Sequence, residues 1–169
     1  EPLQRIGTQM TIASSQRALL ADLVVEWRAA KAERDVLDFA DQIRLAGEIV
    51  QRYPDVVADL RARYGVVLLD EYQDTSIAQR VLLQRIFGSG HPVMAVGDPC
   101  QAIYGWRGAS VDNIEDFGEH FPARDDDAAA ARFTLSQNRR SGVSILEVAN
   151  RASAHLRAVH AGVEPLTAG

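Results

Sequence analysis

Gly65-Val66-Val67-Leu68-Leu69-Asp70-Glu71-Tyr72-Gln73-Asp74 is the stretch that decides how this chain folds. Val66 to Leu69 is a continuous apolar run, β-branched at its start and too short for a helix. It predicts a strand buried on both faces, with acidic Asp70-Glu71 directly after it. Downstream, Ser76 to Phe87 carries Ile77, Val81, Leu82 and Ile86 at helical spacing, and Gly88 ends it. Val93-Met94-Ala95-Val96 then predicts a second buried strand, stopped by Gly97-Asp98. Strand, helix, strand implies a right-handed parallel crossover. Beyond it, residues 111–121 read as a short helix, 123–131 as an acidic, Ala-rich polar loop, and Arg132-Phe133-Thr134-Leu135 as a third strand. From Gly142 to about His160, Ile145, Val148, Ala149, Ala152 and Leu156 make the apolar side of a last amphipathic helix.

Upstream of Gly65 the pattern is helical. Residues 14–30 read as a helix capped by Ser14 or Ser15, with Leu19, Leu20, Leu23, Val24 and Trp27 on one face. A second helix is expected from about Val36 to Gln51, with Phe39, Ala40, Ile43, Ala46, Ile49 and Val50 on its apolar side. Pro54 suits the first turn of a third helix carrying Val56, Val57 and Leu60, and Gly65 fits the position past its end.

The 169 residues, 47% hydrophobic and 24% charged, suit a globular chain with one domain or one and a part. No apolar run approaches the roughly 18 to 20 residues a spanning helix needs, and Glu1-Pro2-Leu3-Gln4-Arg5 has no signal-peptide pattern. A cytoplasmic protein without membrane partners is therefore expected, and the lone Cys100 agrees with a reducing compartment. A net charge of −5 argues against holding nucleic acid by a broad basic face, so any such contact must be local.

In an open parallel α/β sheet, ligands bind outside the carboxyl ends of the strands. Three polar clusters fall there: Asp70 to Asp74, Gly97 to Gln101, and Ser136-Gln137-Asn138-Arg139-Arg140. An aspartate directly after a buried strand is where a nucleoside triphosphatase holds its Mg²⁺, which is the role Asp70 fits. Because strand side chains alternate, the adjacent Glu71 is expected to point elsewhere, so that it can orient and deprotonate an attacking water while Asp70 faces the metal. The competing reading of an isolated Asp-Glu pair is a solvent-facing strand end. Gln101 could orient that water, or be a surface glutamine. Arg140 could stabilise charge on a γ-phosphate, or sit in a surface ion pair. Tyr104 and Trp106 flank Gly105 and precede Arg107, as candidates for stacking on unpaired bases. Trp106 filling a gap in the core is the equal alternative.

Taken together the segments resemble one family. Val67 to Thr75 resembles motif II of the UvrD/Rep/PcrA superfamily 1 DNA helicases. Val96-Gly97-Asp98-Pro99-Cys100-Gln101-Ala102-Ile103-Tyr104-Gly105-Trp106-Arg107-Gly108-Ala109 closely resembles motif III, and Leu135 to Ser141 looks like motif IV. Order and spacing agree, and Leu37-Asp38-Phe39-Ala40-Asp41 is similar to a segment that precedes motif II. The resemblance implies an α/β fold, a partial RecA-like P-loop NTPase domain with its parallel sheet flanked by helices and an N-terminal helical segment. Residues 1–64 would be part of a 1B-like insertion and residues 65–169 a partial motor domain 1A. It further implies that Asp70 binds Mg²⁺, that Glu71 activates water, and that Gln101 and Arg140 sense the γ-phosphate of ATP. Tyr104 and Trp106 would stack on single-stranded DNA, with Arg107 supporting their loop. The implied reaction is ATP hydrolysis driving 3′→5′ translocation and unwinding of duplex DNA, in a free-standing repair helicase or one joined to a nuclease domain or helicase-nuclease subunit.

Two positions depart from the pattern. Arg139 stands where the family usually has an aromatic that stacks on adenine, a contact a guanidinium can also make. Pro99-Cys100 replaces residues that are commonly acidic or polar. The Gly-x-x-x-x-Gly-Lys-Ser/Thr phosphate loop does not occur, and Lys31, the only lysine, lies in Ala29-Ala30-Lys31-Ala32-Glu33. The resemblance places that loop ahead of Glu1 and a second motor domain after Gly169. The chain is thus expected to be an excised piece that hydrolyses no ATP alone. A non-enzymatic helicase-like DNA-binding or protein-interaction module is the alternative. A third reading, an unrelated α/β nuclease using Asp70, Glu71 and Asp98 as metal ligands, leaves Gln101 to Gly108 unexplained.

Overall fold

The computed structural model of the chain describes residues 2–123, 130–160 and 162–169. It is a mixed helix and strand structure with two small parallel sheets. Most of the acidic Ala-rich stretch read over residues 123–131 lies outside the described residues, as does the side chain of Leu19. The chain divides into two compact units, Glu1–Gln42 and Ile43–Gly169.

The first unit is dominated by α1, Pro2–Glu33. This helix passes through Ser14 and Ser15, so neither serine starts it as the sequence reading expected. Leu20, Leu23, Val24 and Trp27, expected to face a core, are exposed within the unit. The helix ends where Asp35 takes a left-handed conformation (φ 51°) and the chain turns into α2, Phe39–Arg52. Asp38 and Asp41 fasten that turn reciprocally. Asp41 N donates to Asp38 Oδ1 (2.8 Å) and Asp38 N to Asp41 Oδ2 (3.2 Å), which satisfies amides at the start of α2. Lys31, buried near the end of α1, donates to Asp38 (2.7 Å) and to Asp41, with its ammonium 5.5 Å from the Trp27 ring centroid. Phe39, expected on the apolar side of α2, is instead exposed, because the buried position at this turn belongs to Asp41.

The Lys31 hydrogen bond holds the Asp38 carboxyl at about 2, below its ordinary 3.8, while the same bond and that of Asp41 raise the Lys31 ammonium above 10.5. A lowered carboxylate stabilises the fold above its ordinary pKa and stops doing so as pH falls through about 2. A raised ammonium stabilises it below 10.5 and stops as pH rises past its folded pKa. Thermal melts followed by far-UV circular dichroism should therefore be level from about pH 5 to 9 and decline at both extremes. Lys31→Met is expected to lower the midpoint on the plateau and to flatten both declines. Superimposable curves for the two proteins would contradict this.

The second unit contains α3, Pro54–Arg63, then β1, Val67–Leu69, then α4, Ile77–Phe87, then β2, Val93–Ala95. The expected helix between two parallel strands is present. Val67 pairs with Val93, Leu68 with Met94 and Leu69 with Ala95. The α4 start expected at Ser76 is a capping box: Ser76 N donates to Gln79 Oε1 (2.9 Å) and Gln79 N to Ser76 Oγ (3.3 Å). Val50, Tyr72, Ile86, Phe87 and Phe121 form the buried core, and Val67, Leu69, Val93 and Ala95 pack on it. Tyr72 stacks edge-on against Phe117 at 5.7 Å between ring centroids, and burial pushes its hydroxyl up to about 12.

Two expectations about the sheet are corrected. Its strands are covered on one face only: Leu68 is 72% exposed and Met94 58%, since alternate side chains of a strand leave on opposite faces and no described element covers the second. The run Arg132 to Leu135 forms no strand, because an extended run becomes a strand only by pairing, and this one pairs with no described edge. The pairing instead falls on β3, Gln137–Asn138, which joins β4, Thr167–Ala168, in a separate parallel sheet. The helix expected over 111–121 is two single turns, α5 (Asp112–Glu115) and α6 (Phe117–His120). The last helix is likewise α7 (Val143–Ala152) and α8 (Ala154–Arg157). In α7 the buried residue is Leu146, while Ile145 and Val148 are exposed. Its orientation is fixed by Asn150, whose side chain takes both the carbonyl (2.8 Å) and the amide (2.9 Å) of Leu166.

Candidate nucleotide and DNA site

The parallel register brings the carboxyl ends of β1 and β2 side by side, and Val96 N to Leu69 O (2.8 Å) and Tyr72 N to Val96 O (2.9 Å) extend the pairing beyond the strands. Asp70 is exposed just past β1, and its Oδ1 accepts from Glu71 N (2.9 Å). Glu71 has a left-handed backbone (φ 49°, ψ 42°) and precedes a single 3-10 turn, Tyr72–Asp74. The two carboxylates are thus parted by a left-handed turn, and strand alternation, which the sequence reading relied on, has already ended at Leu69. A non-glycine residue in that conformation costs on the order of 1–3 kcal/mol, which the surrounding packing must hold.

Beneath Glu71 lies Gln73, 1% exposed. Its Nε2 donates to Glu71 Oε2 (2.7 Å), and its Oε1 accepts from Asp98 N (3.1 Å) on the segment after β2. Gly97 allows this approach, because a Cβ there would lie 2.6 Å from Gln73 Oε1. Asp98 then organises the turn Pro99–Gln101: Oδ1 accepts from Cys100 N (2.9 Å) and Oδ2 from Gln101 Nε2 (2.8 Å). Asp70, Glu71 and Gln101 are therefore held in one connected region at the end of the sheet.

Four residues beyond Gln101 the chain enters another 3-10 turn, Gly105–Arg107, closed by Gly108 at φ 86°, a conformation glycine adopts without strain. Trp106 is 77% exposed, which removes the alternative that it fills the core. The Arg107 guanidinium lies 4.7 Å from the Trp106 ring centroid and 5.1 Å from that of Tyr104. The loop is moored to the end of motif II: Ile77 N donates to Gly108 O (3.3 Å), Ser110 N to Thr75 O (3.3 Å), and buried Asn113 Nδ2 to Thr75 O (2.7 Å). Arg139 and Arg140 follow β3 and are exposed, and Asn138 Oδ1 shapes their turn by accepting from Arg140 N (2.9 Å) and Ser141 N (2.8 Å). Among the described residues no hydrogen bond or ion pair joins either arginine to Asp70, Glu71 or Gln101.

No group of three or more His, Cys, Asp or Glu that could hold a metal occurs among the described residues. The nuclease arrangement of Asp70, Glu71 and Asp98 is accordingly not formed: Glu71 is engaged by Gln73, and Asp98 by Cys100 and Gln101. A lone exposed carboxylate at Asp70 does suit Mg²⁺ carried on a nucleotide, since that ion keeps most of its ligands as water and phosphate oxygens and takes one or two carboxylates from protein.

The motif spacing and this geometry meet a family model, that of the UvrD/REP helicase N-terminal domain, which matches residues 2–122. The chain belongs to this family. DNA helicase II of Escherichia coli (strain K12) is 39% identical over 115 residues, 68% of this chain and 15% of that protein. ATP-dependent DNA helicase PcrA of Leuconostoc citreum is 34% identical over 136 residues, 80% of this chain and 17% of that protein. ATP-dependent DNA helicase UvrD1 of Mycobacterium leprae (strain TN) is 35% identical over 141 residues, 78% and 17% respectively. This UvrD/REP family chain spans between 15% and 18% of the length of the relatives it matches. Among the described residues no helix is long and apolar enough to cross a membrane.

The sequence reading did not single out Gln73, Asn113, Thr75 or Asn138, all of which shape the site through hydrogen bonds. The only signal was position: each is polar and lies inside a motif or within four residues of one, where a polar residue by itself reads as surface.

Proposed function

We propose that this chain supplies the Mg²⁺-and-water half of the ATPase site, and part of the single-stranded DNA surface, of an ATP-dependent DNA helicase that moves 3′→5′ and unwinds duplexes in repair or recombination. It does so as part of a RecA-like motor whose phosphate loop and second motor domain lie in a longer polypeptide, a reading supported by the small share of each relative that it spans. The observation that carries the proposal is the hydrogen-bonded meeting of Asp70-Glu71 with Asp98-Gln101 at one end of a parallel strand pair, with an exposed aromatic loop continuing from it.

In this mechanism Asp70 would hold the Mg²⁺ carried by the nucleotide, an ion that would supply charge neutralisation at the phosphates. Glu71 takes a proton from the attacking water. Gln101 exchanges its bond with Asp98 for one to the water and γ-phosphate, and Arg140 donates bidentately to oxygens that gain charge. Arg139 stacks its guanidinium on the adenine. Tyr104 and Trp106 stack on successive bases, with Arg107 against both rings.

The test is strand displacement by the full-length protein with ATP and Mg²⁺ on duplexes bearing a 3′ or a 5′ single-stranded tail. Unwinding is expected with the 3′ tail and to be lost without ATP. Equal unwinding of both would contradict the polarity. DNA binding with no ATP hydrolysis would favour the non-enzymatic module.

A further inference from the structure

We propose that Gln73 is a positioning residue that holds the Glu71 carboxylate in register with the loop carrying Gln101. The proposal rests on the reading of Glu71 as the base that activates water. Glu71 is exposed and lies at a left-handed turn, so its side chain has no packing to fix it. Gln73, by contrast, is 1% exposed and has two rigidly related ends. Asp98 N can only donate, so the carbonyl end of the amide must face it (3.1 Å). The NH₂ end is thereby directed at Glu71 Oε2 (2.7 Å), with Asp74 Oδ2 a longer second acceptor (3.4 Å).

Close substitutes lose one end or the other. A carboxylate at position 73 would accept from Asp98 N but meet Glu71 with like charge. An apolar side chain would leave the partly buried Asp98 amide without its acceptor. Because Asp98 also binds Gln101 Nε2 (2.8 Å), the connection Glu71, Gln73, Asp98, Gln101 crosses from one strand end to the other without a break. Both ends of the Gln73 amide are committed to protein groups, so it acts through Glu71.

The experiment measures steady-state ATP hydrolysis by the full-length protein, saturated with single-stranded DNA, for Gln73→Met, Gln73→Glu, Glu71→Gln and the double variant Glu71→Gln/Gln73→Met. Displacing a reacting group by about 1 Å can cost on the order of 10²-fold, so Gln73→Met is expected to lower kcat roughly 10- to 100-fold. The KM for ATP should stay within about threefold, as ground-state binding is untouched. On the Glu71→Gln background the same substitution should change kcat by less than about twofold, because residues acting as a unit are not additive. Gln73→Glu keeps size and the acceptor for Asp98 but not the donor, and should lower kcat as Gln73→Met does, so it carries the test if Gln73→Met does not fold. An equal loss on both backgrounds, or kcat within about twofold of wild type for Gln73→Glu, overturns the proposal. Unchanged kcat in Glu71→Gln would instead remove the reading beneath it, and the proposal with it.

Discussion

Glu71→Gln in the full-length protein is expected to lower kcat for DNA-stimulated ATP hydrolysis by roughly 10²- to 10⁴-fold, the range that general-base catalysis contributes. Nucleotide affinity should remain close to wild type. The substitution keeps size and hydrogen-bonding capacity, so Gln73 Nε2 still finds an acceptor at position 71 and the turn at Tyr72–Asp74 is preserved. What it removes is the ability to take a proton. In the proposed mechanism the bound state depends on Asp70 and on contacts elsewhere, so it is expected to be unaffected. Equilibrium binding of a fluorescent nucleotide, alongside phosphate release, separates the two effects. Parallel loss of binding and turnover would mean that Glu71 contributes to holding Mg²⁺, in which case the division of labour between Asp70 and Glu71 is wrong.

Trp106→Ala is expected to weaken single-stranded DNA binding by about 5- to 150-fold, from the roughly 1–3 kcal/mol that stacking one base contributes. Three features make the loss large. The ring is 77% exposed, so it is available to a base and its removal opens no cavity. The adjoining Arg107 guanidinium, 4.7 Å from the ring centroid, orients it. The chain carries a net charge of −5, so no broad electrostatic attraction within it compensates. Because stacking releases no counterions, the slope of log affinity against log salt should be unchanged in Trp106→Ala. Arg107→Ala should reduce that slope by about one if its guanidinium also meets a phosphate. Fluorescence anisotropy with an oligonucleotide at several salt concentrations measures both. Unchanged affinity would take Trp106 out of the DNA surface.

The parallel strand pair and the helix between its strands were legible because each depends on local pattern: a short apolar run and helical spacing. The third strand was not, because Arg132 to Leu135 has the composition of a strand but no described partner edge, and pairing is a tertiary event. For the same reason the covered faces of α1 and α7 were misjudged. Amphipathic spacing tells which residues could be buried together, and says nothing about whether anything lies over them. At the site, the residue types in the three clusters were legible and their linkage was not. Glu71 was separated from Asp70 on paper by strand alternation, whereas the chain uses a left-handed turn. Gln73 reads as one more polar residue until burial shows that both ends of its amide are committed.

In the proposed mechanism a hydrolytic cluster and a DNA-stacking loop share one stretch of chain, and phosphate release by the full-length protein with and without single-stranded DNA tests their coupling most directly. Glu71→Gln should lower release by roughly 10²- to 10⁴-fold under both conditions, and Trp106→Ala should keep the basal rate while losing most of the stimulation by DNA. Full stimulation in Trp106→Ala, or wild-type release in Glu71→Gln, would contradict it.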